Sequence, residues 1–299
     1  MHPAFSVIFL TTLIGAGQGL FLALFSGQTY SAVNLLPAQH SSFYIIGSLL
    51  AVALLIGGLM ASFFHLGRPE RAWRAASQWR TSWLSREVIV LPIAMGLVFF
   101  YGLFHWLNLE VDLFGNQLPG QVTLIIGALA SVAVFLLYLC TAMIYASIKF
   151  LQEWASALTV LNYILLGGAS GFTLATALAA YNAPTLVGFY GGWAIILTVA
   201  GLITRAVSLY RNAHIKAISS VQTAIGIRHN RVEQKAMGMM GGSYNTREYF
   251  HGKTAAFLKS VKYIFLVLVF PVPVILLVAG MQADSGLLLW LAFAVQYVG

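Results

Sequence analysis

HLGRPERAWRAASQWRTSWLSRE, residues 65 to 87, gathers five arginines, three tryptophans, one histidine and two acids into one short segment. On either side lie about twenty residues with almost no charge, the length a helix needs to cross a ~30 Å hydrocarbon core. The segment reads as a water-facing link between two membrane helices, and the rest of the chain repeats that pattern. Over 299 residues the sequence is 60% hydrophobic and 8% charged, against about 25% charged in a soluble domain. The apolar stretches are continuous, whereas a transmembrane β-barrel alternates polar and apolar residues over roughly ten-residue segments. The predicted fold class is all-α: a polytopic membrane protein forming a single integral membrane domain over 1–299.

Eight apolar runs are visible: Phe5–Phe25, Phe43–Phe64, Val88–Trp106, Val122–Tyr145, Leu158–Ala180, Leu186–Ile203, Tyr263–Ala279 and Gly286–Gly299. None contains Asp, Glu, Lys or Arg. The last, about 21 Å of helix at 1.5 Å per residue, is short for a crossing and is expected to be cut, tilted or incomplete. The first run lacks the basic start and small-residue cleavage site of a signal peptide, so it is expected to be retained.

The charges between runs are lopsided. Arg68, Arg71, Arg74, Arg80 and Arg86 follow the second run, Lys149 follows the fourth, and the other ten of the 16 Lys and Arg lie between Arg205 and Lys262. The connections on the other side carry Glu110, Asp112 and Asp284 and no basic residue. With eight crossings every basic residue falls on one face, which the positive-inside rule makes cytoplasmic, together with both termini. The net charge of +8 is then a matter of topology, and no nucleic-acid partner is expected. The long connection, about 205–262, is expected to be a cytoplasmic docking segment. Its first part is suited to prolonging the sixth helix, and Tyr244, Arg247, Tyr249 and His251 suit a surface that docks a partner.

The single cysteine, Cys140, lies in an apolar run. No disulfide within the chain and no Cys cluster for zinc or iron–sulfur is available, so no metal site is expected. No two histidines sit inside runs where they would sandwich a haem, so no haem is expected either. Glycines at 15–19, at 167, 168 and 171 and at 191 and 192 fall inside runs, where small residues mean close helix packing. Gln18, Asn162, Ser170 and Thr173 are polar residues inside runs, placed either to bond between helices or to line a pocket.

The opening segment carries the chemistry. His65 ends the second run, Gly67 and Pro69 suit a helix stop and a new helix start, and Glu87 opens the third run. His65 and Glu87 are therefore expected at similar depth on neighbouring helices. Arg68, Arg71 and Arg74 are spaced three apart, near one helical face, and Trp73, Trp79 and Trp83 suit the membrane interface. A proton acceptor and a carboxylate at the membrane edge suit a molecule that lives in lipid and exchanges protons with water, such as a quinone. The same residues also fit an ordinary boundary: arginine and tryptophan anchors, a capping histidine, and a weak Arg86–Glu87 ion pair.

His-Leu-Gly-Arg-Pro-Glu-Arg-Ala at 65–72, followed by Leu-Ser-Arg-Glu at 84–87, resembles the membrane anchor subunit of dimethyl sulfoxide reductase-type enzymes. That resemblance implies an anchor without metal or haem. Its partners would be an iron–sulfur electron-transfer subunit and a catalytic subunit with molybdenum bis-pterin guanine dinucleotide, in a bacterial inner membrane. It implies a quinone site (ubiquinone or menaquinone) on His65 and Glu87. Beside that implied site, the charge pattern leads to the expectation that Arg68 and Arg71 face the quinone and that Arg74, Trp73, Trp79 and Arg80 face the partner. In the reductase branch Asn commonly precedes the glutamate and this face looks outward. Here Arg86 precedes it and the arginines point inward, which is more similar to the sulfite:quinone oxidoreductase branch. The opening twenty residues and Tyr244-Asn245-Thr246-Arg247-Glu248 carry the same likeness. The alternatives are an anchor running from quinol to an oxide substrate, a purely structural anchor, and a secondary transporter. Transporters place ionisable groups near the midplane, which the uncharged runs do not provide.

Overall fold

The computed structural model describes residues 5–64, 66–108, 120–149, 151–216, 221–229 and 254–299. Ten α-helices and two 3-10 segments follow one another, and no strand occurs among the described residues. The helices are α1 Phe5–Ala32, α2 Ser41–Phe63, α3 Trp83–Trp106, α4 Gln121–Ala146, α5 Ala157–Asn182, α6 Val187–Ala213, α7 Val221–Ile225, α8 Ala255–Val269, α9 Pro271–Gln282 and α10 Gly286–Val298. Their starts are set by local chemistry. Ser82, Ser156 and Thr254 accept hydrogen bonds from backbone N–H groups of α3, α5 and α8, the job of an N-cap. Pro271, which has no N–H to give, separates α8 from α9.

Among the described residues seven segments are long and apolar enough to cross a membrane, α8 and α9 forming one of them. The expected eighth crossing is the short helix α10, whose 13 residues reach only about 20 Å. It follows a turn at Asp284, where φ is +46°. In the 205–262 connection Arg205 to Ala213 prolongs α6, as its first part suited, whereas at the other end Ala255 to Lys262 already belongs to α8. Tyr244, Arg247, Tyr249 and His251 lie outside the described residues.

Neighbouring helices alternate in direction. Gly58 of α2 meets Leu10 and Ile14 of α1, while Gly47 meets Leu24. Asn162 of α5 bonds Ser208 of α6 near one end, and Thr176 lies against Gly191 toward the other. Helices α1 and α5 run parallel and touch through glycines. A Cβ on Gly19 would collide with the Gly167 backbone, and one on Gly171 with the Gly19 backbone. The glycines at 191 and 192 divide: a Cβ at Gly191 would strike Met281, while Gly192 has nothing within 4 Å. The core between the helices is filled by large side chains, among them Phe21, Phe43, Tyr101, Tyr138 and Tyr190. This alternation collects the start of α1, the end of α2, the start of α3 and the ends of α4 and α6 on one side, the basic end.

Candidate functional site

Glu87 sits in the second turn of α3, after the Ser82 cap, and is 7% exposed. It turns away from Arg86. Arg86 donates from Nε to the Trp79 carbonyl and from Nη2 to the Arg80 carbonyl, and its guanidinium lies 4.2 Å from the Trp83 ring centre. The expected Arg86–Glu87 pair is thus replaced by a bond across helices: Thr141 Oγ1 of α4 donates to Glu87 Oε1 at 2.5 Å. A carboxyl inside a membrane helix needs such a partner, because hydrocarbon offers none.

Thr141 also lines a cavity of about 550 Å³ at the basic end, bounded by α1, α4, α5, α6, α8 and α10. Its walls are aromatic and polar. Tyr138 donates to the Gly15 carbonyl at 2.9 Å. Tyr145 stacks on Tyr163, ring centres 5.8 Å apart and planes 22° apart, and meets Trp154 edge-on at 5.3 Å. Gln18 donates to the Val134 carbonyl, tying α1 to α4. Asn162 donates to Ser208 at 2.9 Å and accepts from Thr204 at 2.9 Å, tying α5 to α6. Gln296 of α10 accepts from Thr173 and donates to Thr198. Gln18, Asn162 and Ser170 therefore face the cavity, whereas Thr173 serves a buried contact between helices.

Arg205 of α6 lines the same cavity, with its guanidinium 5.2 Å from the Phe265 ring centre. Thr141, Arg205 and the tyrosines are the residues that sequence reading missed. Their signal was faint but present: Arg205, Ser208 and Asn212 recur at helical spacing, and all three line the cavity.

The arginine-rich segment stands apart. Residues Pro69–Gln78 form a 3-10 helix, in which residues three apart eclipse one another, so Arg71 and Arg74 line up. Arg68, Arg71, Arg74 and Arg80 are exposed, and none of them lines the cavity. Trp73 and Trp79 are 71% and 54% exposed, each with an arginine, Arg74 and Arg80, over its ring at 5.5 and 5.4 Å. His65 lies outside the described residues. Among the described residues no three of His, Cys, Asp and Glu gather to hold a metal ion.

An all-helical membrane protein with a cavity at its basic end, lined by apolar, aromatic and polar side chains, and an exposed arginine–tryptophan segment has the form of an integral membrane component of a larger complex. Across residues 1–297 the chain matches the DMSO reductase anchor subunit (DmsC) family, and it belongs to that family. It is 58% identical over 301 residues to a sulfite dehydrogenase subunit of Allochromatium vinosum, covering 100% of this chain and 93% of that protein. No solved structure matches it.

Proposed function

We propose that this chain is the quinone-reactive anchor of a sulfite-oxidising complex. In this reading a molybdenum-containing partner converts sulfite and water to sulfate, releasing two electrons and two protons. An iron–sulfur partner carries the electrons to the membrane. A pool quinone takes up two electrons and two protons and leaves as quinol. The sulfite assignment follows the relative's name. The quinone assignment rests on one observation, the cavity at the basic end with Thr141, the hydrogen-bond partner of Glu87, in its wall.

The residues fit a quinone. The ring needs flat walls, which Tyr138, Tyr145 and Tyr163 supply. Its carbonyls need donors, and a proton carrier must stand near. The volume lies within the ~300–1,000 Å³ of ordinary ligand pockets. Glu87 holds a proton at its carboxyl, and Thr141 fixes which way that carboxyl points. His65, which follows α2 in the sequence, completes the proton exchange with water. Arg68 and Arg71 give this face a positive field that favours electron arrival, and Trp73, Arg74, Trp79 and Arg80 dock the iron–sulfur partner together with Tyr244, Arg247, Tyr249 and His251. The basic end faces the cytoplasm of a bacterial inner membrane, with both termini and both partner subunits on that side.

Glu87→Gln and His65→Ala in the whole complex are the test. Quinone reduction by sulfite is expected to fall by at least about 10², the lower range for losing a proton-transfer group. Sulfite oxidation by an artificial dye, read at the partner subunits, reports that the complex is assembled. Quinone reduction at the normal rate in both variants would overturn the reading.

A further inference from the structure

A guanidinium within a membrane helix is costly and is by default a functional feature. Arg205 lies about two turns before the end of α6, inside the segment Pro184–Ala213 that is long enough to cross a membrane. Among the described residues it takes part in no ion pair within 4.0 Å; Glu153 lines the same cavity but does not reach it. Five buried polar side-chain atoms lack a hydrogen-bond partner among the described residues. Four belong to Gln28, Tyr101, His105 and Tyr190, none of which lines this cavity. The fifth is Arg205 Nε, and Arg205 does line it. Phe265 lies under the guanidinium at 5.2 Å and limits its swing.

What such a group recognises is an electron-rich oxygen on something that enters from lipid. A quinone carbonyl and a phospholipid phosphate both offer one. The surroundings favour the first. Phosphate headgroups are gathered by clusters of Lys and Arg at the membrane edge, whereas the aromatic rings of Tyr138, Tyr145, Tyr163 and Phe265 share this cavity. We propose that Arg205 is a second quinone anchor, its guanidinium donating to one ring carbonyl in the cavity that Thr141, the hydrogen-bond partner of Glu87, also lines. Thr141 and Arg205 belong to α4 and α6, which both pack on α5, so the ring would lie across α5. This rests on the quinone reading and adds to it a residue that binds the reacting ring.

The experiment uses the whole complex with Arg205→Gln and Arg205→Lys. Quinone retained through mild detergent purification is extracted and counted against molybdenum, and the KM for a short-chain quinone is measured beside kcat. Arg205→Gln is expected to raise KM by roughly tenfold, the loss of one charge-assisted hydrogen bond, and to strip the retained quinone. Arg205→Lys keeps a point charge without the planar fork and is expected to fall between. In the unaltered complex a photoreactive azido-quinone is expected to label peptides of α6 and α8, a readout that needs no variant to fold. Label absent from both helices overturns the proposal. So does Arg205→Gln that keeps its quinone and KM, including the case where it loses bound phospholipid instead. If Glu87→Gln still impairs quinone reduction in that case, only Arg205 is misassigned. If Glu87→Gln is also silent, the quinone reading itself fails.

Discussion

Thr141 is the least conspicuous residue at the site and the most informative. Its hydroxyl is the hydrogen-bond partner of a buried carboxyl at a distance of 54 residues in sequence. Thr141→Val keeps the shape and removes the donor, leaving Glu87 short of its bond. That change is expected to cost about 1–3 kcal/mol of stability and to slow quinone reduction, with Thr141→Ser restoring both. Thermal unfolding in detergent and quinone kinetics check it; a Val variant as stable as the parent would remove Thr141 from this role. Glu87 was legible in the sequence because a lone acid at the mouth of an apolar run is conspicuous by itself. Thr141 was not, because a threonine in a run is ordinary until the fold brings it beside a carboxyl. Arg205 fell between these cases. The apolar run stopped at Ile203, so the arginine two residues on read as part of a helix already outside the membrane, and nothing in the sequence showed that it faces the cavity.

At the scale of elements, hydropathy placed the crossing helices but not all their ends, because a run of twenty apolar residues in lipid must satisfy its backbone as a helix, while the water-facing continuation of α6 to Ala213 is not apolar. It could not distinguish a full crossing from a short helix such as α10, nor see that Pro271 splits the seventh run in two. The contact between α1 and α5 shows what glycine spacing can and cannot say. The sequence marks Gly167, Gly168, Gly171, Gly191 and Gly192 alike, but only space decides which must stay bare. Gly171→Ala is expected to force α1 and α5 apart and to lose roughly 1–3 kcal/mol, the usual cost of overpacking. Gly192→Ala, with open space around it, is expected to be neutral or slightly stabilising, since alanine is the better helix former. Unfolding midpoints of the two variants compare them directly; equal midpoints would mean the close approach carries no weight.

For the molecule as a whole, charge is the organising fact. All 16 basic residues fall in the sequence between apolar runs that end on one side, and the cavity opens among the helix ends of that side. The lone Cys140 is 4% exposed, so added cysteines can report orientation against a low background. Ser77→Cys, in the exposed 3-10 segment, is expected to react with a membrane-impermeant thiol reagent only in inside-out vesicles. Asp284→Cys, in the turn before α10, is expected to react only in right-side-out ones. The reverse pattern would place the arginine face, and with it the partner subunits, on the outer side.

The glycine contact between α1 and α5 also sets an order in time. On the ribosome α1 appears first, and its glycine face has no α5 to meet until some 150 residues later, roughly 10–30 s at ordinary rates of synthesis. Until then α1 leans on α2, through Gly17 against Ala51 and Leu24 against Gly47, then on Tyr101 of α3 and on α4 through Gln18 and Tyr138. The cavity needs still more of the chain, since α6, α8 and α10 also form its walls. The cavity is therefore among the last things this chain makes, and a nascent chain stalled before α6 would already be in the membrane without it.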